Sequence, residues 1–213
     1  MTIVEDLLPK PSNARTGEPI VQVRALVFHY PQVKRQRAKQ VIAYWRERCH
    51  LLHATSANYV IDLDGVIYCA VPESEIAHHA GAGRKPDGSL EVDPVSRRVY
   101  TDEARTLFGD YASDPEHKSP NLVCIGIEMC HTDDAGTYTP ATREAAIEFA
   151  VDRCAKYLLN PLVQITTHQR VVGYKPCPLY WVDHPDDFEL FRRTINSRVF
   201  GPGGNAQSTP TMG

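Results

Sequence analysis

The chain has 213 residues, enough for one well-buried domain and too few for two of ordinary size. With 42% hydrophobic and 23% charged residues it has the make-up of a globular domain, which excludes a disordered chain. A formal net charge of -3 and a pI near 6.3 exclude general attraction to nucleic acid, which needs clustered Lys and Arg, and no segment is apolar for long enough to cross a bilayer.

Residues 1–18 read as an irregular lead-in without a signal-peptide-like apolar stretch, so export, if it occurs, uses no signal visible here. Residues 19–200 then read as one domain. Val21 to Phe28 is rich in β-branched residues and predicts a buried strand that delivers His29 at its end, before Pro31 breaks the pattern. Lys34 to Cys49 shows apolar Val41, Ile42, Trp45 and Cys49 at helical spacing, and its basic start reads as a solvated face. Asn58 to Leu63 and Val66 to Val71 predict two strands joined by Asp64-Gly65 as a hairpin.

Gly81 to Pro120 mixes Gly, Pro and charges and reads as a long surface excursion, of the kind that borders clefts, with a short helix near Asp102 to Phe108. Leu122 to Cys130 is a second buried strand, with Glu128 an unexpected carboxylate on the face it shares with Cys124 and Gly126. Pro140, after Thr139 as N-cap, opens a helix whose apolar stripe runs from Ala146 to Leu158 and ends at Asn160-Pro161. Leu162 to Thr167 predicts a short strand and His168 begins a polar loop, before a last helix from Pro185. Residues 201–213 read as a flexible Gly/Pro-rich tail. Strands alternating with helices, plus a hairpin, predict an α/β domain with a central mixed sheet.

The six cysteines are scattered through apolar patterns without a secretory signal, and most read as small core residues. Cys177 differs, because it sits in a loop beside Lys175 and between two prolines. It lies nine positions after His168, and Gly173 lets the chain fold back so that imidazole and thiol can meet on one ion. His29, at a strand end, is a candidate third donor. The spacing by itself is weak and favours a turn-capping His168 and a buried Cys177 over a shared ion, and a cysteine hydrolase using Cys177 with His168 is a further reading.

Five collinear stretches carry a resemblance. They are V-F-H-Y at 27–30, N-Y-V-I-D-L-D-G at 58–65, E-I-A-H-H-A-G at 75–81, I-G-I-E-M-C at 125–130, and T-H-Q-R with K-P-C-P at 167–170 and 175–178. In this order they resemble the zinc-dependent N-acetylmuramoyl-L-alanine amidases, the family of amidase-type phage endolysins and bacterial autolysins related to the peptidoglycan recognition proteins. The resemblance spans roughly residues 20 to 198. It implies a peptidoglycan-recognition-protein-like amidase fold, Zn2+ held by His29, His168 and Cys177, Glu128 and Lys175 as catalytic residues, Tyr59 assisting at the metal, and His79 in contact with substrate or orienting the hairpin.

It implies hydrolysis of the amide between N-acetylmuramic acid and L-alanine, with a non-catalytic peptidoglycan-binding module as the alternative. It also implies a monomer that either accumulates in the cytoplasm and acts at the cell wall, as phage lysins do, or is exported without a signal peptide. Two departures stand out: His78 replaces the tryptophan that many relatives carry before H-A-G, and Tyr30-Pro31 replaces small hydroxyl residues.

Overall fold

A computed structural model of the chain describes residues 1–115 and 117–201. Its elements in chain order are Ile3–Glu5 (β1), Ala25–His29 (β2), Ala38–Arg48 (α1), Tyr59–Ile61 (β3), Ile67–Cys69 (β4), Asp102–Phe108 (α2), Asp110–Ser113 (α3), Cys124–Met129 (β5), Pro140–Tyr157 (α4), Pro161–Gln164 (α5), Ile165–Thr167 (β6), His168–Val172 (α6), Leu179–Asp183 (α7) and Pro185–Phe200 (α8). The predicted tail lies, beyond Gly201, outside the described residues.

The strands form one mixed sheet in the order β1-β4-β3-β5-β2-β6. Only β3 and β4 pair antiparallel, through the predicted hairpin, whose Gly65 takes φ +82°. The parallel strands β2 and β5 sit at the centre and are almost wholly buried, as strands covered on both faces must be. One face carries Leu26, Phe28, Tyr59, Ile125, Ile127 and Met129 against Phe149 of α4 and Phe188 and Phe191 of α8. Phe28 meets Phe191 edge-on at 5.3 Å, and burying each such ring stabilises the domain by about 1.5–3 kcal/mol.

The other face is covered in two patches. Val41, Ile42 and Trp45 of α1 pack with Val60, Ala77 and Cys130, while Ala104, Phe108 and Val171 pack with Ala25, Val27 and Cys124. The candidate site lies on this face, between the two patches.

The chain departs from expectation at four places. The lead-in is not irregular throughout: β1 pairs with β4, Leu8 N–H bonds Ala70 C=O at 2.9 Å, and Leu8 is buried. Three residues are too few for a strand periodicity to show, so tertiary pairing decides. Residues 162–164 are helical because Asn160 Oδ1 accepts from Leu162 N–H at 3.0 Å and Pro161 occupies the first helical position, leaving the strand only three residues. The loop expected from His168 begins as the helical turn α6, capped by Thr167 and closed by Gly173 at φ +79°. The excursion after Gly81 packs α2 beneath α6, and none of residues 82–120 lines the main cleft.

The basic run at 34–39 is a paired surface. Lys34 meets Asp134, Arg37 meets Asp62 and Asp64, and Arg35 Nε donates to Thr132 C=O.

Candidate metal centre

Three neighbouring parallel strands deliver the site. The register of β2 with β5 sets His29 beside Glu128, and that of β2 with β6 sets Phe28 beside Thr167, so His168 follows just past the strand end. Side chains alternate along a strand, so His29 shares its face with Val27 and Ala25, and Glu128 shares it with Gly126 and Cys124. Cys177 arrives from the loop after α6, which Gly173 turns back. Gln169 N–H bonds Cys177 C=O at 2.8 Å and fastens that loop to the helix bearing His168.

His29, His168 and Cys177 are all buried, and their donor atoms lie within 4.8 Å of one another. His29 Nδ1 is 3.7 Å from Cys177 Sγ. Two donors about 2.0 and 2.3 Å from a tetrahedral zinc would be separated by about 3.5 Å. His168 Nε2 is buried without a hydrogen-bond partner, an arrangement costly for a polar atom unless something else engages it. Burial lowers the pKa of His29 well below its ordinary value, and takes that of His168 down to about 3, with Lys175 and neighbouring imidazoles acting in the same direction. Both rings are therefore neutral, with a lone pair to offer. The donor set and spacing fit zinc.

Burial, aided by Glu128, pushes the Cys177 thiol up to about 12, while the Tyr30 N–H and Lys175 pull the other way. A thiol so held is a poor nucleophile by itself, which disposes of the cysteine-hydrolase reading; a bound cation would favour the thiolate. Glu128 lines the cleft while its Oε2 is enclosed and unpartnered, and desolvation raises its pKa to about 7 against the pull of Lys175. Lys175 is exposed at the mouth. The cleft, about 540 Å³, continues past Tyr30 and His78 to Tyr44 and Trp45 on α1.

One expected role is not met, and His79 is turned toward a donor. Tyr59 sits on the opposite face of the sheet from Glu128, with its ring 4.7 Å from Phe149 and its hydroxyl bonded to Arg153, so it cannot assist at the metal. Alternation settles this: its register partner is Ile127, not Glu128. His79 is buried, and both ring nitrogens face protein: Nδ1 is 3.0 Å from His29 Nε2, and Nε2 is turned to Cys124. Its ring thus stands against His29, on the wall of the cleft.

Sequence reasoning missed Asn121, whose Oδ1 accepts from the backbone N–H of both His79 and Ala80, and Tyr138, whose enclosed hydroxyl lies near Cys177 and Glu128. Asn121 lies between the presumed surface excursion, ending at Pro120, and the strand from Leu122, and no pattern singled it out. The two ring nitrogens of His131 face the backbone carbonyls of Asp133 and Pro31, at 2.8 and 2.7 Å, in keeping with its omission from the site.

An α/β/α domain with a His, His, Cys cluster able to hold a metal and an adjacent buried carboxylate at the ends of its parallel strands has the layout of a hydrolase. The model of the family described as N-acetylmuramoyl-L-alanine amidase matches residues 19–179, and the chain belongs to that family; it is a peptidoglycan amidase. Among solved structures, the catalytic domain of XlyA is similar at 20% identity and a TM-score of 0.60, covering 90% of this chain and 99% of that one. PlyL is similar at 15% identity and 0.63, covering 95% and 99%. The endolysin N-acetylmuramoyl-L-alanine amidase LysCS from Clostridium intestinale URNW is similar at 17% identity and 0.51, covering 83% and 86%. At these identities the likeness is one of fold. No curated protein sequence matches significantly. Among the described residues, no helix is long and apolar enough to cross a membrane.

Proposed function

We propose that this amidase is a zinc hydrolase in which His29, His168 and Cys177 hold the metal and Glu128 and Lys175 act on the substrate. The observation that carries the reading is the convergence of three buried donors on one point, with His168 Nε2 left without a protein partner. When bound, zinc supplies Lewis acidity, which polarises the lactyl amide carbonyl and makes water acidic enough to attack near neutral pH.

Glu128, on the strand beside His29, takes a proton from the attacking water as its oxygen bonds to the carbonyl carbon. It then returns that proton to the L-alanine nitrogen as the C–N bond breaks, leaving a lactyl carboxyl group on the sugar and a free amine on the stem peptide. A carboxyl group with a pKa of about 7 suits both halves of that transfer. The Lys175 ammonium, at the cleft mouth, faces the negative charge that develops on the carbonyl oxygen. One chain supplies every one of these groups, which supports a monomer acting at the cell wall, where its polymer substrate lies.

Mass spectrometry of digested peptidoglycan tests the reading. Stem peptides beginning with free L-alanine are expected from the zinc-loaded enzyme and not after chelation. Undiminished release from metal-free protein would sink the zinc assignment, and zinc-loaded protein that binds muropeptides without cutting them would sink the catalytic one.

A further inference from the structure

The segment His78 to Gly81 carries no obvious chemistry, yet it stands directly behind two of the three donors. His29 Nε2 is 3.0 Å from His79 Nδ1. His79 Nε2 is turned the other way, 3.7 Å from Cys124 Sγ, so Nδ1 is the nitrogen that meets His29. His29 Nδ1 is the atom 3.7 Å from Cys177 Sγ, and it is bare when His29 donates from Nε2 to His79 Nδ1. Two residues on, the Gly81 backbone bonds the His168 ring. Since His168 Nε2 has no partner, that bond is made by Nδ1, and Nε2 is the nitrogen left for the metal.

The segment is itself fixed. Asn121 Oδ1 accepts from His79 N–H at 3.1 Å and from Ala80 N–H at 2.7 Å. On the sheet side, Gly126 leaves room for the imidazole: a Cβ there would lie 2.5 Å from the His79 ring.

We propose that His79, held by Asn121 and seated on Gly126, is a positioning residue that sets the tautomer of His29, and that segment 79–81 as a unit presents both histidines to the metal with the correct nitrogen bare. This rests on the zinc reading, which requires a bare Nδ1 on His29. Partners behind metal-bound histidines fix the tautomer and ring orientation, and losing one costs about 10- to 100-fold in metal affinity. His78 has a different place: its side chain lines the cleft and its N–H donates to Ser56 Oγ at 3.0 Å. It is not part of the clamp.

The test compares wild type with His79→Leu and His79→Asn. Leucine fills the space without an acceptor, whereas the asparagine oxygen falls near the place of Nδ1. Nitrogen-15 NMR of the metal-free proteins reads the His29 tautomer, and competition with a chromophoric chelator reads zinc affinity. Wild type is expected to hold His29 with its proton on Nε2. His79→Leu is expected to lose that tautomer preference and bind zinc about 10- to 100-fold more weakly, and His79→Asn to recover most of both.

A wild-type His29 protonated on Nδ1 overturns the proposal without any variant, should His79→Leu fail to fold. Zinc affinity or tautomer unchanged in folded His79→Leu overturns it as well. Failure of wild type to bind zinc at all would instead overturn the zinc reading, and the metal-free tautomer measurement keeps the two failures apart.

Discussion

Replacing Glu128 by glutamine in metal-free protein should make the domain more stable at pH 8 and leave it unchanged at pH 4. The carboxyl pKa rises from 4.5 in the unfolded chain to about 7 in the fold, chiefly through desolvation. Below 4.5 both states are protonated and the group contributes nothing. Between 4.5 and 7 the folded state binds more protons than the unfolded one, so stability falls as pH rises, and above 7 the full penalty is present. At about 1.4 kcal/mol per pH unit the penalty reaches about 3 kcal/mol, and about 2 is the better figure because the cleft admits some water. Glutamine keeps the shape and has no charge to bury.

Urea unfolding of chelated wild type and Glu128→Gln, at intervals from pH 4 to 8, measures the difference directly. A gap that opens by about 2–3 kcal/mol across that range supports the argument. A gap independent of pH would refute it, since the carboxylate would then be compensated by something the geometry does not show. Zinc must be absent, because a neighbouring cation favours the ionised form.

Lys175→Met should lower kcat by about 10²- to 10³-fold, the scale for losing one group aimed at a developing oxyanion, with zinc content by metal analysis unchanged. Tyr59→Phe should leave kcat/KM within about twofold while costing about 1 kcal/mol of stability in urea melts, because its hydroxyl serves Arg153 on the far face. Gly126→Ala should destabilise the fold by about 1–3 kcal/mol and weaken zinc binding, since the new methyl meets the His79 ring. An alanine variant with wild-type zinc affinity would show that the ring has room to move.

The strands and long helices were legible because their patterns are long and their ends are marked. Thr139-Pro140 opens α4 and Asp64-Gly65 turns the hairpin, as the residues dictate. The three donors were visible only as members of an ordered set of motifs, since eight intervening residues between His168 and Cys177 allow many geometries. Tyr59 was misjudged because a motif places a residue on a strand but does not say which face it points to; one position in register separates the cleft from the core. His79 and Asn121 act through contacts 50 and 42 positions away in sequence, and no local pattern records such pairings. The lead-in and α5 were missed for the opposite reason, being too short for any periodicity.

His29 and Cys177 stand 148 positions apart in the chain, and all six cysteines are free thiols. A metal held between them therefore closes a loop that encloses most of the domain. By the entropy of loop closure, tying the unfolded chain across such a span is worth about 5 kcal/mol, comparable to a long-range disulfide. Zinc bound as proposed would thus double as the domain's single covalent-like staple, in a chain that forms no sulfur cross-link of its own.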